Sequence, residues 1–292
     1  MESVTNYLQS IDRKKQVLDN TELFVLDMDG TFYLGDRILE GAPGFIEAVQ
    51  RAGKKYIFFT NNSSTSPKKY IEKLAGMNCH ITRDMIMTSG DVMIGYLKKN
   101  YPEGSIYLLG TPALEESFLE AGIRLFVPER NAEDASSNAE CRSIPDAVVV
   151  GFDKTLTYEK LSNACVYIMQ GAAFLSTHLD INCPVPGGFI PDSGAICAAI
   201  ELSTGVKPVF VGKPFAETVD MVVDMTGVPR DRIAFVGDRI YTDVATGVNN
   251  GAMGVLVLTG ECSLKDSEKS DIKPDAIFDS IGEMGKFLGK LL

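Results

Sequence analysis

Two aspartates two residues apart close a short apolar run: Leu23-Phe-Val-Leu26 leads into Asp27-Met28-Asp29-Gly30-Thr31. In an extended chain, residues i and i+2 share a face, so both carboxylates can approach one point. Carboxylates that close repel, so either a cation sits between them or one keeps its proton. Both arrangements suit phosphoryl chemistry. Asp27 can attack phosphorus while Asp29 protonates the leaving oxygen. Gly30 lets the backbone come close to a phosphate. The same letters also describe a strand that simply ends in an Asp-Gly turn.

Three further clusters follow apolar runs. Phe58-Phe59 ends in Thr60-Asn61-Asn62-Ser63-Ser64, just before a helix start at Pro67. These hydroxyls and amides can bind phosphate oxygens as neutral donors, with the helix N-terminus behind them; they also make an ordinary helix-entry loop. Val211-Gly212-Lys213-Pro214 offers one lysine that can neutralise charge shared by a carboxylate and a phosphate, although lysines are usually solvated. Phe235-Val236-Gly237-Asp238 continues to Asp243. With Asp27, these two carboxylates can complete the oxygen-rich octahedral site that Mg²⁺ prefers, or one can cap the next helix.

The elements that must hold these residues are legible as runs. Apolar stretches of four or five residues recur near Leu23, Tyr56, Ile106, Ala147, Pro208, Ile233 and Gly254, each ending in a small or polar residue. Such runs suit strands buried on both faces of a parallel sheet. Between them, Pro43–Ala52, Ser193–Ser203 and Pro214–Thr226 carry helical spacing. The fold class is therefore α/β, a doubly wound parallel sheet. In such sheets ligands bind beyond the carboxyl ends of strands, which selects Asp27, Thr60, Asn61, Lys213 and Asp238 independently of any motif. Residues 32–39 read as a hairpin turning at Gly35-Asp36, and residues 281–292 as a surface-packed helix despite their glycines. Residues 129–142 read as an exposed loop.

Composition narrows the function classes. The 292 residues, 45% hydrophobic, suffice for one large or two ordinary domains with real cores. With 28 basic and 39 acidic residues the net charge is −11, which disfavours nucleic acid as a partner. It also requires local positive charge or a metal wherever a phosphate binds. Two histidines, His80 and His178, are too few for a three-histidine zinc site. Six cysteines without a CxxC pair read as thiols of a reducing compartment. No apolar run approaches the length of a membrane span, and the first residues hold no signal-type apolar core, so the expectation is a cytoplasmic protein without a membrane partner.

The order Asp-x-Asp-Gly-Thr, Thr-Asn, Lys-Pro, Gly-Asp-x4-Asp resembles the haloacid dehalogenase-like (HAD) phosphohydrolase superfamily, whose four motifs are all present. The resemblance implies Asp27 as nucleophile, Asp29 as general acid/base, Thr60 and Asn61 as phosphate ligands, and Lys213 as the charge-stabilising lysine. It implies Mg²⁺ held by Asp27, the Asp29 main-chain oxygen and Asp238, with Asp243 orienting the water shell. Because members that cleave carbon–halogen bonds lack an acid at the position of Asp29, phosphate transfer is implied. Half the chain separates Asn62 from Lys213 and carries its own α/β pattern, which is similar to the type IIA cap of the para-nitrophenylphosphatase and NagD-like branch. Gly41-Ala-Pro-Gly44, Asp192-Ser-Gly-Ala195 and Gly237-Asp-Arg239 agree with that branch. The resemblance runs from about Asp19 to Phe278.

The expected organisation is a catalytic core of residues 1–85 and 207–292 around a cap of residues 86–206. The branch often carries Thr-Asn-x-Asp in a cap loop. Here the matching stretch is Thr177-His178-Leu179-Asp180, with Asp180 kept and His178 in place of Asn, so both are candidate substrate-binding residues along with Gly30 and Asn62. The implied reaction is Mg²⁺-dependent hydrolysis of a small phosphorylated metabolite through an aspartyl-phosphate, with a homodimer formed through the cap. A phosphotransferase or phosphomutase would use the same residues. A non-enzymatic metabolite-binding protein would be expected to carry a broken motif, and none is broken here.

Overall fold

The apolar runs become strands. A computed structural model describes residues 8–128 and 144–291; the loop expected at 129–142 lies outside the described residues. In chain order the strands are β1 (Leu23–Leu26), β2 (Tyr33–Leu34), β3 (Arg37–Ile38), β4 (Lys55–Thr60), β5 (Ile86–Thr88), β6 (Ser105–Leu109), β7 (Arg124–Leu125) and β8 (Ala147–Val150). They continue with β9 (Ala173–Ser176), β10 (Asn182–Val185), β11 (Gly188–Pro191), β12 (Val209–Phe210), β13 (Ile233–Gly237), β14 (Met253–Val257) and β15 (Ala276–Phe278). The chain forms two compact units. One comprises the chain up to Thr60, Pro67–Ser89 and the chain from Lys213 onward; the other comprises Asn61–Ser66 and Gly90–Gly212.

In the first unit six strands pair in the order β15-β14-β13-β1-β4-β5, parallel throughout. All residues of β1, β13 and β15 are buried, as expected of strands covered on both faces. The chain leaves β1 toward β4 on one side and returns to β13 on the other, so the crevice between the carboxyl ends of β1 and β13 is the topological switch point. Below it, Phe32 and Phe58 meet edge-to-face at 4.7 Å and Phe24 and Phe45 at 5.3 Å. Each such pair contributes about 0.5–1.5 kcal/mol beyond its buried area, and Phe32 anchors the chain just past Asp29. The strands β2 and β3 form the expected hairpin around Gly35-Asp36.

The C-terminal helix, Ile281–Leu291, is more than surface-packed: it buries Ile281, Met284 and Leu288. Its glycines are the reason. A Cβ on Gly285 would stand 2.8 Å from the Cα of Phe45, so the bare Cα lets this helix lie directly on the helix Ala42–Arg51.

The second unit holds a five-stranded parallel sheet in the order β12-β9-β8-β6-β7 and the exposed antiparallel hairpin β10–β11. Its bounds differ from the 86–206 span at both ends: β5 pairs with β4 in the first sheet, whereas β12 pairs with β9 in the second. Residues 61–66 belong here because their polar groups are satisfied here. Ser63 Oγ accepts the Phe152 N–H at 2.9 Å and shares a hydrogen bond with Thr177 Oγ1 at 3.0 Å, and Thr111 Oγ1 donates to the Ser64 carbonyl at 3.0 Å.

Candidate active site

Asp27 is the first residue past β1, and its N–H still donates to the Val236 carbonyl at 2.8 Å, so the β1–β13 ladder holds its backbone. The chain then doubles back: the N–H groups of Phe32 and Tyr33 donate to the Met28 carbonyl, and Gly30 N–H donates to the Tyr33 carbonyl at 2.8 Å. This turn requires φ of +84° at Gly30, where a side chain is strained, and a Cβ there would lie 2.7 Å from Asp238 Oδ2. Gly30 is therefore needed twice, for its conformation and for the approach of Asp238.

Lys213 Nζ donates to Asp27 Oδ1 at 2.6 Å and to Asp243 Oδ1 at 2.5 Å, and the Phe59 ring lies 5.2 Å beneath it. The lysine and Asp243 are buried; the Asp27 side chain is 15% exposed. Asp243 comes from a π-helical turn, Ile240–Val244, directly after β13. Its Oδ2 accepts the Arg239 N–H at 3.1 Å, and it tucks under Gly237, where any side chain would collide with its carboxylate. Asp238 is oriented by two donors: Thr31 Oγ1 to Oδ1 at 3.3 Å, and Glu261 N–H to Oδ2 at 2.7 Å.

Asp27 and Asp243 share one ammonium in a largely buried site. Burial pushes the Asp27 carboxyl up to about 8; the Lys213 ammonium opposes the shift, and the Asp243 and Asp238 charges add to it. Burial disfavours the Lys213 ammonium, yet Asp243 and Asp27 outweigh it and hold its pKa above the ordinary lysine value. Burial, then the Asp243 charge, raise Asp238 to about 6. The physical reading is a Lys213 ammonium held charged beside an Asp27 that holds a proton until more positive charge arrives.

A divalent cation fits this arrangement. Ligand oxygens of Asp27, Asp238 and Asp243 lie within 4.8 Å of one another, which matches the hard-oxygen donors of Mg²⁺. The excess of buried carboxylates over cations is what such an ion would relieve. Asp29 is exposed, and Thr60 ends β4, beside β1.

The other candidates lie in the second unit. Asn61 Nδ2 donates to Asp180 Oδ2 at 3.2 Å. Asn62 Oδ1 accepts from the N–H and hydroxyl of Ser64, a local turn. His178 is fully buried, with Nδ1 3.3 Å from Asp180 Oδ2 and Nε2 3.5 Å from Asp192 Oδ1. Asp192 in turn caps the helix Ser193–Thr204.

Sequence reasoning placed Thr31 and Arg239 within motifs but gave neither a role, and it did not single out the segment 259–262. Thr259 Oγ1 donates to the Gly30 carbonyl at 2.7 Å, and Cys262 N–H to the Asp238 carbonyl at 3.1 Å. The rule that chemistry gathers at strand carboxyl ends would have found this segment, since it follows β14. A cleft of about 870 Å³ opens instead at the amino ends of β1, β13 and β14. Its Arg13 is paired with Asp275 and its Arg232 with Asn20, and no chemistry-bearing motif reaches it.

Known proteins share this plan. Residues 24–124 match the model of a haloacid dehalogenase-like hydrolase, and residues 210–284 match a HAD-hydrolase-like model. An acid sugar phosphatase of Staphylococcus aureus is 33% identical over 260 residues, covering 89% of this chain and 95% of that protein. The crystal structure of a 4-nitrophenylphosphatase from Thermotoga maritima is 45% identical, with a TM-score of 0.84 over 92% of this chain and 98% of the other. NagD from E. coli is 26% identical with a TM-score of 0.78, over 90% and 98%. The chain belongs to the haloacid dehalogenase-like hydrolases, in their nitrophenylphosphatase and NagD branch.

Proposed function

We propose that this protein is a Mg²⁺-dependent phosphatase of small phosphate monoesters, sugar phosphates foremost, working through an aspartyl-phosphate on Asp27. The observation that carries the reading is the convergence of Asp27, Lys213, Asp238 and Asp243 at the switch point of the first sheet. The S. aureus relative's name, acid sugar phosphatase, supports the substrate class; nucleotides and similar metabolites are further candidates, and para-nitrophenyl phosphate is the artificial one.

Asp27 attacks phosphorus in line, and the bond to the leaving oxygen breaks as Asp29 gives that oxygen a proton. Asp29 then takes a proton from the water that splits the aspartyl-phosphate. Lys213 stays charged throughout and faces the phosphoryl oxygens, where a fixed cation in a buried site is most effective. Thr60 and Asn61 supply neutral donors. Mg²⁺, held by Asp27, Asp238 and the Asp29 main chain, would supply positive charge to the phosphoryl oxygens. The second unit is read as the cap that selects the leaving group, with Asp180, His178 and Asn62 as its candidates. A homodimer through that unit belongs to the same proposal, supported by exposed Tyr158, Val166, Met169 and Leu202. So does a cytoplasmic setting, read from six cysteines without a CxxC pair; among the described residues no helix is long and apolar enough to cross a membrane.

The test is phosphate release from para-nitrophenyl phosphate and a panel of metabolite phosphates, with Mg²⁺ or EDTA, beside Asp27→Asn. Release that needs both Mg²⁺ and Asp27 is expected. Turnover by pure Asp27→Asn protein would sink the nucleophile assignment.

A further inference from the structure

Arg239 is a cation placed beside a cation site. It follows Asp238 directly, and its N–H holds Asp243. Burial works against its charge, yet Tyr241 and the carboxylates of Asp27, Asp243 and Glu261 hold its pKa above the ordinary value. A guanidinium this close has two places to go. It can lie on the Asp238 and Asp243 carboxylates and compete with a metal for them, or it can be held elsewhere. In the structure it is held elsewhere: Nε sits 2.9 Å from Glu261 Oε2. Glu261 is itself fixed from two further directions. Its Oε1 accepts the Tyr241 hydroxyl at 3.0 Å, and its N–H is the donor that orients Asp238. The Glu261 carboxylate thus links Arg239, as an ion pair, and Tyr241, through a hydrogen bond, both from the segment after β13, to the segment after β14.

We propose that Glu261 is a positioning residue that tethers the Arg239 guanidinium away from the Asp27–Asp238–Asp243 cluster and so keeps those carboxylates open to Mg²⁺. The inference rests on the metal reading above. It assigns a role to two residues on the rim of the site: the Arg239 side chain is 26% exposed and that of Glu261 47%. Neither is a core residue, and the variants are expected to fold, which their melting temperature checks. The bond from the residue 261 N–H to Asp238 is made by the backbone and does not depend on the side chain.

The experiment is a double-mutant cycle read by calorimetric Mg²⁺ binding to the substrate-free protein, with melting temperature as the check on folding. Glu261→Ala releases the guanidinium onto the carboxylates, and the Mg²⁺ dissociation constant is expected to rise about tenfold, the scale of one charge near a divalent ion in a half-exposed site. Arg239→Gln removes the competitor and is expected to tighten Mg²⁺ binding. In the Arg239→Gln background Glu261→Ala should change the constant by no more than about twofold. Glu261→Gln, which keeps one acceptor oxygen and loses the charge, should lie between wild type and Glu261→Ala. An unchanged constant in Glu261→Ala overturns the tether. So does an equal loss with and without Arg239, because that is the through-space effect of the glutamate alone. A wild-type protein that binds no Mg²⁺ overturns the metal reading itself, and this inference with it.

Discussion

Protons and Mg²⁺ should compete for Asp27, and the competition can be sized from the structure. With its pKa at about 8, the carboxyl is protonated in the metal-free protein at neutral pH, and a cation must displace that proton. The apparent dissociation constant then scales as one plus ten to the power of eight minus pH. It is about fiftyfold weaker at pH 6 than at pH 8, and it levels off above pH 9. Asp238, at about 6, steepens the loss only toward the acid end. At pH 7 the binding of each ion should release roughly 0.9 proton. Calorimetric titration at pH 6, 7 and 8, in two buffers of different ionisation enthalpy, reads both the affinity and the proton count. The sign follows from linkage: the folded pKa lies above the unfolded one, so the protonated carboxyl stabilises metal-free protein at low pH. That contribution is lost as pH rises through 8. Metal-free protein should therefore lose stability as pH rises from about 4 to 8 and level off above it, whereas Mg²⁺-loaded protein should not lose it between pH 6 and 8. Equal Mg²⁺ affinity at pH 6 and 8, with no proton released, would refute the claim that burial keeps the Asp27 carboxyl protonated in the metal-free site.

Lys213→Met strands Asp27 and Asp243 without a cation, and breaking a buried pair this way costs roughly 3–5 kcal/mol; the deficit, read from denaturant melts, should be smaller at pH 6, where Asp27 holds a proton, than at pH 9. Gly30→Ala forces a side chain into φ of +84° and against Asp238. It should cost roughly 1–3 kcal/mol of stability and weaken Mg²⁺ binding as well, measured by melting and by calorimetry on the same sample. Gly285→Val pushes the C-terminal helix off Phe45 and should cost roughly 1–3 kcal/mol by overpacking. Turnover per folded molecule should stay within about twofold, which separates packing from chemistry.

How far the sequence reaches is set by which interactions are local. Buried parallel strands announce themselves, because covering both faces demands unbroken apolar runs; β1, β4, β13 and β14 lie where those runs stand. Asp27, Lys213 and Asp238 are legible for a related reason: each is the polar residue just past such a run, which is where an α/β sheet offers its crevice. A run of four apolar residues says nothing about its neighbours, however. Pro208–Val211 reads like the others, yet β12 is an edge strand beside β9, and only the pairing register shows which sheet it joined. Likewise Asn61 follows Thr60 without a break, but its amide is satisfied by Asp180, far along the chain.

The same limit explains why the segment 259–262 escaped a reading by residue type. Its contributions are a hydroxyl on a carbonyl, two backbone N–H groups on Asp238, and one exposed glutamate. Backbone donors leave no side-chain signature, and an exposed Glu is the commonest of surface residues. Yet these bonds hold Asp238 where β1 and β13 alone would leave it free to rotate. A motif supplies the charges of a site, and the orientation of those charges comes from residues chosen for reach and backbone path. In this chain the motif carboxylates are buried and crowded together, at a cost visible in the pKa values of Asp27 and Asp238, raised first by burial and then by neighbouring carboxylates. That crowding persists because Lys213, Thr31, Thr259 and Glu261 over-determine the geometry. Loosening any one of them should therefore be felt first in cation binding, where the crowding is relieved, and only later in the stability of the sheet.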